Sequence, residues 1–102
     1  MPTIAQLQKL LAADPDDPFL LYGLAQEHAR EGRYKDAVAW YDRCLGLDPA
    51  YLYAYFHKAK AHEALGEVSE AVSTLRIGLE QAKAARDTQA ISEIAAYLDE
   101  LT

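Results

Sequence analysis

The side chains best suited to chemistry in this sequence are its three histidines, His28, His57 and His62. Histidines bind a metal ion or transfer protons when their rings converge on one point. His57 and His62 are five residues apart, which places them about 140° apart around a helix and disfavours a shared ion. His28 and His62 are 34 residues apart, a spacing that recurs throughout the chain. We therefore predict that the histidines pack structurally and that the protein binds no metal.

The acidic pairs and the cysteine give no stronger indication of catalysis. Asp16 and Asp17 fall in a predicted turn, while Asp99 and Glu100 fall on a predicted solvated helix face, so neither pair has the apolar surroundings that raise a carboxyl pKa. Cys44 is the single cysteine, which excludes an internal disulfide and a multi-thiolate metal site, and we expect it to be a buried, unreactive thiol. The sequence also lacks a Gly-rich phosphate loop, an HExxH motif and a nucleophile elbow. We predict that the protein is not an enzyme and uses no cofactor.

Composition and charge narrow the classes of partner. The chain has 102 residues, 51% of them hydrophobic, and a formal charge of −6, which is typical of one globular domain. Nucleic acids and anionic membranes require a positive patch, so we expect neither as a partner. The N-terminus lacks the basic start and long apolar run of a signal peptide, and we expect a cytoplasmic protein.

An internal repeat organises the chain. Asp14-Pro15 returns as Asp48-Pro49, 34 positions later. The same offset links small, glycine and apolar residues: Ala25 with Ala59, His28 with His62, Gly32 with Gly66, Ala37 with Ala71, Val38 with Val72 and Leu45 with Leu79. A period of this length predicts stacked helix–turn–helix units.

The repeated segments, Leu21–Pro49 and Tyr55–Lys83, resemble tetratricopeptide (TPR) repeats. The first unit carries the family pattern at Leu21, Leu24, Ala25, His28, Gly32, Ala37, Tyr41, Cys44 and Pro49. The second unit keeps it at Tyr55, Ala59, His62, Gly66, Ala71, Leu75 and Gly78 and departs from it at Lys58 and Lys83. The resemblance implies an all-α, right-handed α-solenoid. It also implies that His28 and His62 occupy equivalent packing positions.

Local signals divide this single domain, residues 1–102, into six helices. We predict a half-repeat helix at residues 3–13, a first unit at 18–49, a second unit at 52–84 and a C-terminal capping helix at 87–101. The predicted helices of the first unit are 18–31 and 34–45, and those of the second are 51–65 and 68–84. In the half-repeat, Ile4, Leu7, Leu10 and Leu11 form an apolar stripe.

Particular residues mark the ends and contacts of these helices. Asp17 and either Asp87 or Thr88 are predicted helix caps, and Gly32 is the predicted left-handed residue after a helix. Ile91, Ile94, Ala95, Leu98 and Leu101 form the predicted inner face of the capping helix. Gly78 lies inside a predicted helix, where we expect a close helix–helix approach to offset its low helix propensity.

In TPR arrays the first helices of the units line a concave groove, and the resemblance implies which residues face it here. They include four aromatics, Phe19, Tyr22, Tyr53 and Phe56, which we interpret as ligand anchors. The polar residues around them are Gln26, Arg30, His57, Lys60 and Glu63. An apolar centre with a polar rim is typical of a protein–protein site. Gly23 beside this face would leave a depression for a ligand side chain.

We therefore predict a non-catalytic interaction module, an adaptor or assembly factor, that binds a peptide or helix segment. The expected ligand is apolar with an acidic contact to Arg30 or Lys60. Some TPR proteins hold a C-terminal carboxylate with Lys and Asn in the first unit, but Tyr22 and Gln26 stand there, so that function is not transferred. Alanine at Tyr22 and Phe56 is expected to weaken binding and to leave the fold intact.

Two alternatives remain open. In the first, the chain forms a homodimer that buries the aromatic face or an open edge at Ile4, Leu7 and Leu11. In the second, the terminal helix folds over the aromatics within one chain.

Overall fold

The computed structural model describes residues 2–102, which form six α-helices and no strand. The helices are α1 (Ile4–Ala13), α2 (Pro18–Arg30), α3 (Tyr34–Leu47), α4 (Leu52–Ala64), α5 (Val68–Ala85) and α6 (Thr88–Leu101). Each helix packs against the next, and α2 and α6 also flank α4. The all-α helical-repeat architecture is confirmed. Within residues 2–102, no helix has both the length and the apolar character needed to cross a membrane.

Side chains and glycines fix the helix ends as the sequence predicts. Asp17 accepts a hydrogen bond from the Phe19 N–H at 2.9 Å, and Asp87 accepts one from the Ala90 N–H at 3.0 Å. Both satisfy amides that have no partner inside their helices. Gly32 adopts φ 78° after α2, a backbone conformation that residues other than glycine rarely adopt. The chain can therefore turn sharply into α3.

The core forms two clusters that meet at α4. Leu21, Leu24 and Tyr41 are fully buried in the first cluster, between α1 and α4. Leu75 and Ile94 are fully buried in the second, between α4 and α6. Because α4 contributes residues to both clusters, the two repeat units pack into one continuous stack that supports the concave face.

Gly78 allows α4 and α5 to approach closely, as predicted. A Cβ atom at Gly78 would lie 2.6 Å from Cβ and 2.9 Å from Cγ of Tyr55. Tyr55 is buried and its hydroxyl donates a hydrogen bond to the Pro49 carbonyl at 2.7 Å. The ring therefore has little room to move away.

Several predictions about α1 and the helix ends were wrong. Leu10 is 52% exposed, whereas Leu7 and Leu11 are buried against α2. The predicted open edge at Ile4, Leu7 and Leu11 is thus mostly covered, which removes that dimer surface. Helices α3 and α5 end at Leu47 and Ala85, two residues and one residue beyond the predicted ends at 45 and 84.

The buried face of α6 also differs from the predicted stripe. Ala90, Ile94 and Tyr97 are buried, while Ile91 and Leu98 are only partly so. The helix is rotated so that the Tyr97 ring faces α4. Its aromatic ring and hydroxyl therefore contribute to the concave face.

Candidate functional site

Three adjoining depressions form a groove along α2, α4 and α6. The Gly23 pocket, of about 220 Å³, is lined by Pro2, Leu7, Phe19, Tyr22, Gly23, Gln26 and Glu27. The central cleft, of about 340 Å³, is lined by Gln26, Ala29, Arg30, Tyr34, Tyr41, His57, Lys60, Ala61 and Ala64. The α6 cleft, of about 500 Å³, is lined by Phe56, Lys60, Glu63, Glu93, Ala96, Tyr97 and Glu100. Gln26 is common to the first two depressions and Lys60 to the last two, so neighbouring depressions adjoin one another.

Helix α2 supplies the first wall of the groove. Phe19, Tyr22 and Gln26 are spaced three and four residues apart, which places them on one face of the helix. Phe19 is 68% exposed, so its ring is available to a partner. Tyr22 is half-buried instead, with its ring centroid 4.9 Å from that of Tyr51 and 6.0 Å from that of Tyr41. Burial raises the pKa of Tyr22 to about 12.

A hydrogen bond joins α3 to the groove. The buried Tyr41 hydroxyl donates to Oε1 of Gln26, and burial raises the pKa of Tyr41. The bond holds the Gln26 amide between the Gly23 pocket and the central cleft. The NH₂ group is the donor half of the same side chain, and Gln26 lines both depressions.

The charges of the groove change sign along its length. Arg30 and Lys60 line the central cleft, and no carboxylate occurs among its described lining residues. The α6 cleft carries Glu63, Glu93 and Glu100 against the single cation Lys60. In a chain of net charge −6, the cationic central cleft attracts an acidic group and the α6 cleft repels one.

Neighbouring groups orient the cations of the central cleft. The Arg30 Nε atom lies 3.1 Å from Oε2 of Glu27, a buried residue one helical turn earlier. Lys60 places its Nζ atom 5.2 Å from the centroid of the Phe56 ring. His57 lines the same cleft, and burial, followed by the charge of Lys60, lowers the pKa of His57. His57 therefore favours its neutral form.

Helix α6 covers part of the predicted aromatic face. The Tyr97 ring centroid lies 5.3 Å from that of Phe56, and the Tyr97 hydroxyl donates a hydrogen bond to Oε1 of Glu63 at 2.6 Å. The alternative in which the terminal helix covers the aromatics thus applies to Phe56. It does not apply to Phe19, which stays exposed.

Eight of the nine predicted site residues line the groove, and these are Phe19, Tyr22, Gln26, Arg30, Phe56, His57, Lys60 and Glu63. Tyr53 lies beside Phe56, at 6.5 Å between ring centroids, and outside the described lining of all three depressions. Tyr22 and Phe56 also pack against the two core clusters. Alanine at these two positions would consequently disturb the core as well as the groove, contrary to the expectation that the fold stays intact.

The sequence prediction missed the residues that reach the groove from α1, α3 and α6. Leu7, Tyr41 and Tyr97 are the main examples. The sequence does contain a signal for Tyr97, because it follows Glu63 by 34 residues, which is the period of the repeat. The others lie on second helices of the units, which the family pattern places outside the groove.

The remaining reactive side chains serve packing. The ring of His28 is buried and stacks on Trp40 at 6.2 Å, while Nδ1 of His62 lies 2.9 Å from a Glu67 oxygen. Residues 2–102 contain no group of three metal-binding side chains. Cys44 is buried, and desolvation is the main cause that raises the pKa of its thiol to about 11.

Comparisons with known proteins agree with this architecture. A family model described as anaphase-promoting complex, cyclosome, subunit 3 matches residues 4–77. A TPR repeat-containing protein of Pseudomonas aeruginosa is 31% identical over 98 residues, which is 96% of this chain and 93% of that protein.

Solved structures show the same fold. A tetratricopeptide repeat domain protein from Salinibacter ruber is 31% identical, with a TM-score of 0.79 over 85% of this chain and 88% of that one. The Yersinia enterocolitica type III secretion chaperone SycD, in complex with a peptide of the translocator YopD, has a TM-score of 0.86 at 23% identity, over 96% of this chain and 76% of that one. The chain belongs to the tetratricopeptide repeat family.

Proposed function

We propose that the protein is a non-catalytic adaptor or assembly factor that binds a peptide or helix segment of a partner protein in the groove. The groove of three adjoining depressions along α2, α4 and α6, with the exposed Phe19 ring at one end, carries this proposal. An exposed aromatic beside a concave apolar surface is typical of interaction sites rather than of a solvated surface.

The charges of the groove favour a ligand that is apolar with one acidic residue. The acidic residue contacts Arg30 or Lys60, the two cations that line the central cleft. The Arg30 side chain lies beside Glu27 but is 60% exposed, so a ligand can reach it. The Gln26 amide donates to a backbone carbonyl of the ligand. The acidic α6 cleft excludes the same ligand carboxylate, which fixes the position of the acidic residue along the groove.

The comparisons support peptide binding without specifying the ligand. SycD is a TPR-like structure that was solved with a peptide of its translocator, and its likeness to this chain concerns the fold. The TPR-containing relative from Pseudomonas aeruginosa matches nearly the whole chain. We infer from these likenesses that this chain also holds a partner segment.

Selection from a display library of random 12-residue peptides tests the proposal. We expect enriched peptides to combine apolar residues with Asp or Glu. Their dissociation constants, measured by fluorescence anisotropy, should rise at least tenfold for Lys60→Glu, because a cation–carboxylate contact becomes a repulsion. Arg76→Glu is the matched control. Arg76 is exposed on α5 outside the groove, and its substitution changes the net charge by the same two units as Lys60→Glu. No enrichment, or equal weakening by both variants, would refute groove binding.

Self-association of the aromatic face is the competing function. Phe19 is exposed enough to carry it. Light scattering across a dilution series separates the two, because a peptide-binding monomer keeps a molar mass near 11.3 kDa. A dimer that Phe19→Ala dissolves would mean that a second copy occupies the groove.

A further inference from the structure

Gly23 lies inside α2, where glycine lowers helix stability relative to alanine. At Gly78 the fold requires a glycine, because a Cβ atom there would lie 2.6 Å from Cβ of Tyr55. At Gly23 the nearest atom to an added Cβ is Cδ2 of Leu7 at 3.5 Å, an ordinary van der Waals distance. Packing therefore allows a side chain at position 23, and the fold does not explain the glycine.

The missing side chain opens the Gly23 pocket between α1 and α2. Its walls are mainly apolar, from Leu7, Phe19 and Tyr22, with Gln26 and Glu27 also in the lining, and the pocket has a volume of about 220 Å³. A cavity of about 150 Å³ is large enough to bind benzene. The pocket therefore has room for one branched aliphatic or aromatic side chain.

An ion pair lies beside the pocket. Oε2 of the buried Glu27 lies 3.1 Å from Nε of Arg30, whose side chain is 60% exposed and so remains accessible to a ligand. Arg30 also lines the central cleft, next to the pocket. A ligand that fills the pocket thus finds a cation beside it.

We propose that the Gly23 pocket is the anchor subsite of the groove, which takes one Leu, Ile, Met or Phe side chain of a partner segment. An acidic residue of the same segment pairs with Arg30, which lines the adjoining central cleft. The occupant is a partner protein with an apolar residue close to an acidic one, as the charge of the adjoining cleft requires. This inference rests on the proposed function and names the ligand chemistry at one end of the groove.

A small apolar probe tests the pocket independently of any peptide. Benzyl alcohol is titrated into ¹⁵N-labelled protein, and amide chemical shifts are followed. We expect saturable shifts at Gly23 and Leu7 in the wild type and their loss in Gly23→Leu, whose side chain fills the pocket. Wild-type amides that do not shift, or shift without saturation, would overturn the subsite.

The matched variants are Gly23→Ala and Gly46→Ala. Both exchange a helix glycine for alanine, but no described atom lies within 4 Å of a Cβ at Gly46, which is exposed on α3. Gly23→Ala and Gly23→Leu should keep the wild-type helix content by circular dichroism. Gly46→Ala should leave the probe shifts unchanged. If Gly46→Ala lost the probe shifts as fully as the Gly23 variants do, the loss would result from a change in helix stability, and the proposal would be overturned.

Peptides enriched on the wild type separate this inference from the proposed function. Loss of an anchor residue from its pocket weakens binding at least about tenfold, so we expect that loss in Gly23→Leu and a smaller one in Gly23→Ala. If Lys60→Glu weakens the peptides and Gly23→Leu does not, the groove binds them without the anchor subsite. If wild-type light scattering shows a dimer that Gly23→Leu dissolves, the occupant is a second copy, and the partner assigned here is wrong.

Discussion

The close contact between α4 and α5 allows a quantitative test of the packing. Gly78→Ala would place a Cβ atom 2.6 Å from Cβ and 2.9 Å from Cγ of Tyr55. These atoms lie next to the α4 backbone, and the Tyr55 hydroxyl is fixed by its hydrogen bond to Pro49 at 2.7 Å. The two helices must therefore separate to accept the methyl group.

The balance of two terms gives the magnitude. Overpacking a core costs about 1–3 kcal/mol, and a clash with atoms this close to the backbone belongs at the upper end. Replacing a mid-helix glycine by alanine returns about 1 kcal/mol. We therefore expect the free energy of unfolding to fall by about 2 kcal/mol, which lowers the melting temperature of a domain of this size by about 10 °C.

Urea unfolding followed by circular dichroism measures the effect. Gly46→Ala is the control, since an added Cβ there has no described neighbour within 4 Å, and it should raise the free energy of unfolding by up to about 1 kcal/mol. If Gly78→Ala were as stable as the wild type or more so, α4 and α5 would not approach as closely as described.

Three further predictions concern burial. Leu21→Ala should lower the free energy of unfolding by about 2–5 kcal/mol, because Leu21 is fully buried, whereas exposed Leu47→Ala should change it by less than about 0.5 kcal/mol; equal losses would contradict the assigned core. Ellman's reagent should label Cys44 far more slowly in the native protein than in urea, because the thiol is buried and its pKa is about 11; similar rates would mean an accessible thiol. The folded-state pKa of Tyr22, about 12, exceeds its unfolded value of about 10, so its contribution to stability is full below pH 10 and is lost between pH 10 and 12. Urea unfolding at pH 9 and 11 should show a smaller loss in Tyr22→Phe than in the wild type, and an equal loss would count against this burial.

The sequence predicts the elements well because their ends depend on local chemistry. Asp17 caps α2 through its own carboxylate, and Gly32 turns the chain after that helix. The inner faces of α2 and α3 follow from helical periodicity. The depth to which a side chain is buried is harder to predict from the sequence, because it depends on which other helices pack against its own helix. Leu10 shares the apolar pattern of α1 yet stays exposed, since nothing among the described residues covers that side of the helix.

The groove residues show the same difference: the sequence predicts which face of a helix a side chain occupies, but not how deeply the side chain is buried. The family resemblance predicts Phe19, Tyr22 and Phe56 as groove residues, and all three line its depressions, but only Phe19 is mostly exposed. The other two rings are half-buried by Tyr51 and Tyr97, whose approach depends on tertiary packing.

The departure of Lys58 from the family pattern has a tertiary explanation that one sequence could not reveal. Its Nζ atom lies 2.6 Å from an Asp42 carboxylate oxygen on α3. The ion pair links the first unit to the second at a position where the family has an apolar residue. Because Asp42 is half-exposed, we expect the pair to contribute modestly to stability.

The most direct test of groove binding is an amide chemical-shift map of the ¹⁵N-labelled protein with one enriched peptide. Groove binding predicts the largest shifts at Gln26, Arg30 and Lys60. A separate depression between α4 and α5, which includes Ser73 and the exposed Ile77, provides the contrast. If the largest shifts fell at Ser73 and Ile77 while the groove amides stayed unchanged, the partner would bind elsewhere and the central claim would be wrong.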